Sequence, residues 1–420
     1  MALSVFVLIT GLSSILAHQP GWPQPVAGGV DFSSPALADL NGDETLEVVV
    51  VSQAHQVYVW NCWGVPFPGW PKSIADSSGL DETSSPAVGD IDHDGSPEVV
   101  YASAGGRLWA WRSDGSPVPG FPVNLGDNVI RASVTLQDLD GDDSMEIIIG
   151  TGNFQNRLMV FRCDGTLHWQ RATVGRVHST AATGDIDHNG DIELLVGNDG
   201  VSGQPGVYAW HNDGTPVTGW PKYCGHHVDP SPALADIDQD QNLEVFFGSL
   251  DNFLYGTDGS GADLPGWPRR CGDGIYEGIV SSPAVADIDG DSMLEIVTGR
   301  GIIQSNYGAV FAFRSSGETL PGFPVTIASG SVVSSPALAD IDDDGAMEVI
   351  VGSQDGMLYG WHFDGTVVNG FPIAVGAPVT SSPAIGDIDL DGFTEIAVGA
   401  KGDSFYVWDL GMRFRQSQHA

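Results

Sequence analysis

An all-β fold of eight four-stranded repeats, closed into a ring, is the fold class this sequence predicts. Three observations carry the prediction. One acidic pattern recurs eight times at near-constant spacing. Short apolar runs flank each copy with the period-two alternation of strands. A Pro-Gly-aromatic-Pro signature returns between most copies, and helical periodicity is absent throughout.

The stretch Ser334 to Ser353 shows the pattern best. It opens on Ala337-Leu338-Ala339, passes through an acidic loop from Asp340 to Glu348, and leaves in Val349-Ile350-Val351. Asp340, Asp342, Asp344 and Glu348 stand at loop positions 1, 3, 5 and 9. Carboxylates at odd positions of a short turn face one centre, which suits a hard cation that takes six to eight oxygens, calcium above all. Gly345 at position 6 allows the sharp turn.

The remaining copies keep this register. They read Asp39, Asn41, Asp43, Glu47; Asp90, Asp92, Asp94, Glu98; Asp138, Asp140, Asp142, Glu146; and Asp185, Asp187, Asn189, Glu193. After them come Asp236, Asp238, Asp240, Glu244; Asp287, Asp289, Asp291, Glu295; and, last, Asp387, Asp389, Asp391, Glu395. Successive copies lie 51, 48, 47, 51, 51, 53 and 47 residues apart. A lone D-x-D-x-D-G is a weak signal; eight in constant register are a strong one. The fifth loop has no glycine, with Gln239 and Gln241 at positions 4 and 6. An EF-hand would need a helix after the loop, and here β-branched strands follow.

A third strand alternates aromatic residues, as in Val57-Tyr58-Val59-Trp60 and Leu358-Tyr359-Gly360-Trp361. A D-G or S-G hairpin turn usually follows it. The signature then returns, for example at Pro68-Gly69-Trp70-Pro71 and Pro321-Gly322-Phe323-Pro324. Proline suits an edge strand, so the signature is expected to be the outermost strand of its unit. Each unit is thus four antiparallel strands, A to D, with the acidic loop between A and B. Units this small cannot bury their own apolar face and must stack on neighbours, so they read as blades of a β-propeller. The last copy supplies A, B and C only, while the N-terminus supplies an orphan D strand near Trp22. That predicts eight blades with the ring closed by the N-terminal strand; seven blades with a divergent end is the alternative.

Charge narrows the function. There are 54 acidic against 16 basic residues, a net charge of −38. Thirty of the acids sit at loop positions 1, 3, 5 and 9. Eight divalent cations would leave −22, still acidic, so nucleic acid and anionic membranes are poor partners. Residues 1–17 are apolar and small, too short to span a bilayer, and read as a secretory signal cleaved near Ala17, although no Lys or Arg precedes the apolar run. The propeller is expected over residues 18–411 and a C-terminal tail over 412–420. Of four cysteines, Cys224 and Cys271 occupy equivalent places in neighbouring repeats. A disulfide between them and free buried thiols both remain open, and Cys224 with His226 and His227 could bind a soft metal.

The pairing of S-P-A-x-x-x-D-I-D-x-D-G with E-V-V-V-G-S resembles the FG-GAP/VCBS-type propeller repeat of integrin α-subunit heads and many secreted bacterial proteins. The resemblance covers about Gln19 to Gly411. It implies calcium in the A–B loops, up to eight ions, and often a role in adhesion or surface binding. By that resemblance Asp90, Asp92, Asp94 and Glu98 stand where side-chain ligands stand, with Ser96 giving a backbone carbonyl. The integrin branch ends its loop in Asp, whereas this chain has Glu in every copy.

The expected function is a secreted or cell-surface, calcium-binding, non-catalytic interaction or adhesion module, acting as a monomer without membrane insertion. Its ligand would be an extracellular protein or glycan. In the plainest reading the calcium only holds the blades. Loop length varies most on the face opposite the acidic loops, with Asn153, Phe154, Gln204, Tyr276 and Tyr307 as candidate contacts. No nucleophile arrangement recurs. A polysaccharide lyase or other carbohydrate-active enzyme on a calcium propeller is the alternative, with Arg269, Arg270 and Tyr276 the nearest grouping.

Overall fold

The computed structural model describes residues 16–74, 80–129, 131–200, 204–272, 278–301, 307–327 and 329–413. Eight antiparallel sheets form the blades of a propeller, and no helix occurs among these residues. In the first blade strand A is Ala36–Ala38, B is Glu47–Ser52, C is Gln56–Trp60 and D is Lys72–Ser73, paired in that order. Six more blades repeat this A-B-C-D order.

The eighth blade takes its outer strand from the N-terminus, as expected. Its strand C, Ser404–Arg413, pairs with Ala17–His18 and with Gln24–Pro25. Strand C therefore runs two residues past the expected boundary at Gly411. The expected signal falls largely on residues 1–15, which lie outside the described residues, as does most of the expected tail.

B strands are buried on both sides because each blade lies between two others. Val48, Val50, Val349 and Val351 are all fully buried. The core is accordingly divided among the interfaces between blades. One cluster joins Val48, Val50 and Trp60 of the first blade to Ala397, Phe405 and Val407 of the eighth. Another joins Val310 and Ala312 of the sixth to Val349 and Val351 of the seventh. Burying a Val or Leu side chain is worth about 1.5–3 kcal/mol, so these seams are the main stabilising term.

The Pro-Gly-aromatic-Pro signature differs from its expected role. It is a turn, and strand D begins only after it, at Lys72 in the first blade and Lys222 in the fourth. The glycine takes a left-handed backbone (Gly69 φ 88°) and the prolines lack an N–H, so the segment cannot continue a ladder. The aromatic ring instead enters the seam. The indole N–H of Trp22, Trp70, Trp220 and Trp267 each donates to a C–D turn carbonyl of the next blade, at 2.8 to 2.9 Å. Trp169, which stands within strand D of the third blade, where the signature is lacking, does the same at 2.7 Å. Where the ring is Phe323 or Phe371, packing alone fills the place.

A second ring encircles the axis just before the A strands. The backbone N–H of Ser34 donates to Ser85 Oγ, Ser85 to Ser133, Ser133 to Thr180 and Thr180 to Ser231. Ser231 continues to Ser282, Ser282 to Ser335, Ser335 to Ser382, and Ser382 returns to Ser34. All eight bonds measure 2.8 to 3.1 Å, a closed belt with one hydroxyl per blade. Losing one hydroxyl would leave a backbone donor without its partner near the axis, at about 1–3 kcal/mol.

Candidate metal centres

The acidic loops lie on one face, beside the C–D turns. Each folds through the same local device. Position 4 and position 6 both take left-handed backbone conformations: φ is 61° at Asp343 and 94° at Gly345 in the seventh loop. The glycine-free fifth loop does the same, with Gln239 at 62° and Gln241 at 73°. Its geometry therefore matches the others, and side chains at position 4 or 6 meet no obstacle. The position-1 carboxylate explains the tolerance. Asp236 accepts the N–H groups of Asp240 and Gln241 at 2.9 Å each, as Asp90 accepts those of Asp94 and Gly95 at 3.0 and 2.8 Å.

Position 9 adds a buried anion. In all eight loops the Glu Oε2 accepts the N–H of position 2, from Leu40 to Glu47 at 2.8 Å through Ile388 to Glu395 at 2.8 Å. That bond fixes the side chain and leaves Oε1 over. In Glu47, Glu98, Glu295 and Glu395 the Oε1 atom is buried without a hydrogen-bond partner. Burial, with help from the neighbouring aspartates, pushes the carboxyls of Glu47, Glu98, Glu244, Glu295 and Glu348 up to about 7 and that of Glu395 up to about 8. Glu146 and Glu193 are raised for the same first reason. A buried, unsatisfied carboxylate oxygen is costly unless a proton or a cation reaches it.

Several loops bring three of the expected residues together. Carboxylate oxygens of Asp90, Asp92 and Asp94 lie within 4.8 Å of one another, as do those of Asp138, Asp140 and Asp142. So do those of Asp236, Asp238 and Glu244, which places the Glu in the same group. In the first loop Asn41 Nδ2 bonds Asp43 Oδ2 at 3.0 Å, joining positions 3 and 5 directly. These clusters could hold a metal ion.

One residue in each site was not foreseen. It follows the last core residue of strand C, and reads Asn61, Arg112, Arg162, His211, Asp258, Arg314, His362 and Asp409 around the ring. His211 Nδ1 lies 2.9 Å from Glu193 Oε1 and 3.8 Å from Asp187, and His362 Nδ1 lies 3.0 Å from Glu348 Oε1. Arg314 reaches Asp289 at 3.0 Å, Asp291 at 3.1 Å and Glu295 at 3.9 Å. Aligning the eight repeats on their acidic loops would have exposed this variable column.

The cysteines carry no bridge: Cys62, Cys163, Cys224 and Cys271 are all free. Cys224 Sγ donates to the His226 carbonyl at 2.9 Å, and burial pushes its thiol up to about 11. Tyr276 lies outside the described residues, so the grouping with Arg269 and Arg270 has no described geometry.

Fold and loops together define a β-propeller with an acidic turn in every blade. The chain belongs to the FG-GAP-like repeat family: the family pattern matches residues 39–101, 90–149, 287–351 and 340–398, just over half of the sequence. No curated protein matches it. Solved structures share the ring. BamB from Moraxella catarrhalis is 16% identical, with 95% of this chain and 98% of that one covered and a TM-score of 0.60. Sqt1 from Saccharomyces cerevisiae is 11% identical over 94% and 99%, with a TM-score of 0.65. The quinohemoprotein alcohol dehydrogenase from Comamonas testosteroni is 12% identical over 96% and 78%, with a TM-score of 0.63. At such identities the likeness is one of fold. No helix among the described residues is long and apolar enough to cross a membrane.

Proposed function

We infer that the acidic turns bind calcium, up to eight ions, and that the protein is a secreted propeller whose calcium holds the blades while the opposite face binds an extracellular protein or glycan. The observation that carries the metal reading is the buried Glu oxygen without a partner beside clustered aspartates. Positions 1, 3 and 5 and the inward Glu oxygen would supply the ligands of the chain. Two like charges 4 Å apart repel by roughly 4 kcal/mol at an effective dielectric near 20. Several such pairs per loop rival the ~5–15 kcal/mol stability of a typical domain. A cation at a hundred times its dissociation constant returns about 2.7 kcal/mol per site.

The sixth loop fits a metal least well, because Arg314 already supplies a positive charge to three of its acids. Phe154 and Tyr307, 76% and 65% exposed, are the partner-face side chains of choice. The test is a thermal midpoint with chelator and with millimolar calcium, beside calorimetric titration of the chelated protein. A fall of at least about 10 °C on chelation is expected. An unmoved midpoint sinks the metal reading. A glycan and matrix-protein array then tests the partner, and wild-type binding by a Phe154→Ala, Tyr307→Ala double variant removes the assigned face. Secretion is tested by the N-terminal sequence of exported protein, expected to begin near His18.

A further inference from the structure

The channel opens on the face away from the acidic loops, and there the eightfold pattern breaks. Two residues before each belt hydroxyl stands a second ring of side chains, and in three consecutive blades it carries Arg131, His178 and Asp229. Arg131 Nη1 lies 3.1 Å from Asp229 Oδ2, and His178 Nδ1 lies 3.1 Å from Asp229 Oδ1. The guanidinium also stacks over Phe32 across the channel, 4.8 Å from the ring centre. These groups and seven of the eight belt residues line a cavity of about 220 Å³.

The chemistry of the wall is one-sided. Both oxygens of Asp229 are already used by Arg131 and His178. Each belt hydroxyl accepts a backbone N–H, which leaves its own O–H as a donor, and seven of the eight border the cavity. Arg131 uses one nitrogen on Asp229 and keeps further N–H donors. His178 is nine-tenths buried, and its Nε2 has no hydrogen-bond partner. A buried ring nitrogen without a partner is costly. In its cationic form an imidazole donates from both nitrogens, so with Nδ1 held on a carboxylate Nε2 is the nitrogen that can face an anion. Donors converging on a small cavity call for a ligand made of acceptors.

We propose that the channel mouth is a binding site for a small oxyanion, of the size of sulfate or a short carboxylate, held by Arg131, His178 and the belt hydroxyls. The site is independent of the calcium reading, since it sits at the other end of the A strands. Planar and tetrahedral oxyanions both match the guanidinium fork.

The test titrates sulfate, and separately acetate, into the full-length protein in calcium buffer, with calorimetry as the readout. Saturable one-to-one binding of either anion is expected, weakened at least tenfold in Arg131→Gln and in His178→Gln. An Arg171→Gln variant, altered on an outer strand, should bind like the wild type. Circular dichroism and the calcium-loaded midpoint establish that each variant is folded. His178→Gln keeps the Arg131–Asp229 pair, so it decides the matter if Arg131→Gln does not fold. No binding of either anion by the wild type at 20-fold molar excess and millimolar concentration overturns the proposal. So does unchanged binding by a folded variant.

Discussion

The sixth and eighth acidic loops are built on the same scaffold and solve their charge problem in opposite ways. In the sixth, Arg314 at the end of strand C reaches Asp289, Asp291 and Glu295. In the eighth, the same place holds Asp409, which adds to the load on Glu395. Asp387 Oδ1 and Glu395 Oε1 are both buried there without a partner. A side-chain donor reaches in from the N-terminal segment, where Gln19 bonds Asp389 at 2.7 Å. A single position outside the motif thus decides whether a loop carries its own counter-charge or calls for one. The motif alone treats the two loops as equals.

The largest consequence is a pH dependence that calcium should reverse. Each buried Glu has a folded-state value raised above its ordinary 4.5, to about 7 in Glu295 and about 8 in Glu395. A raised value means the folded chain holds the proton better than the unfolded chain. That stability is fully present below about 4.5 and is lost as pH rises through 7 to 8. The chelated protein should therefore lose 5 °C or more of thermal midpoint, as an order of magnitude, between pH 5 and pH 8. With calcium the carboxylate is the form that binds, so the midpoint should hold or rise over the same range. Parallel curves with and without calcium would break the account.

Substituting the eighth loop sharpens it. Glu395→Gln keeps an oxygen for the Ile388 N–H and removes the charge. The chelated variant should be more stable than the wild type near pH 8, and should lose one bound ion by calorimetry. Its calcium-linked gain should shrink by about 2.7 kcal/mol at a hundred times the dissociation constant. The same change in the sixth loop, Glu295→Gln, should alter the ion count little, because Arg314 already occupies that role.

Arg314→Gln should turn the sixth loop into one like the eighth. The side chain is about a third exposed, so solvent discounts the loss to about 1–2 kcal/mol in chelator. Calcium should restore it and one more ion should bind. An unchanged ion count would show that Arg314 is not a substitute for metal.

Most of the architecture was legible in the sequence because spacing reports it. Eight acidic loops, period-two runs and an orphan strand near Trp22 lead to eight blades and to the pairing of Gln24–Pro25 with the last strand C. The role of the Pro-Gly-aromatic-Pro turn was not legible. Proline rules out a central strand, and that is true of a turn as well as an edge; only the seam shows Trp70 donating to Ser113. The metal loops were read from residues 1, 3, 5 and 9, which are contiguous in the chain. Arg314, His211 and His362 join them from the end of strand C, across from strand B, and pairing in space leaves no local pattern. The channel mouth was hidden for the same reason. Arg131, His178 and Asp229 come from three blades and meet only because the ring closes.

The smallest expected effect isolates the charge of strand C from the loop itself. Asp409 is half-buried and reaches no loop donor; its Oδ1 accepts the Gly411 N–H at 2.6 Å, a bond the amide oxygen of Asn can keep. Asp409→Asn therefore changes charge with little change in shape. Removing one repelling carboxylate should stabilise the chelated protein by about 0.5 kcal/mol at low salt. Removing one attracting carboxylate should weaken calcium at the eighth site about two- to threefold, the same energy seen from the ion's side. The ion count should stay the same, unlike that of Glu395→Gln. If the affinity instead falls by tenfold or more, Asp409 is a ligand rather than a neighbour, and the contrast with Arg314 becomes one of coordination instead of background charge.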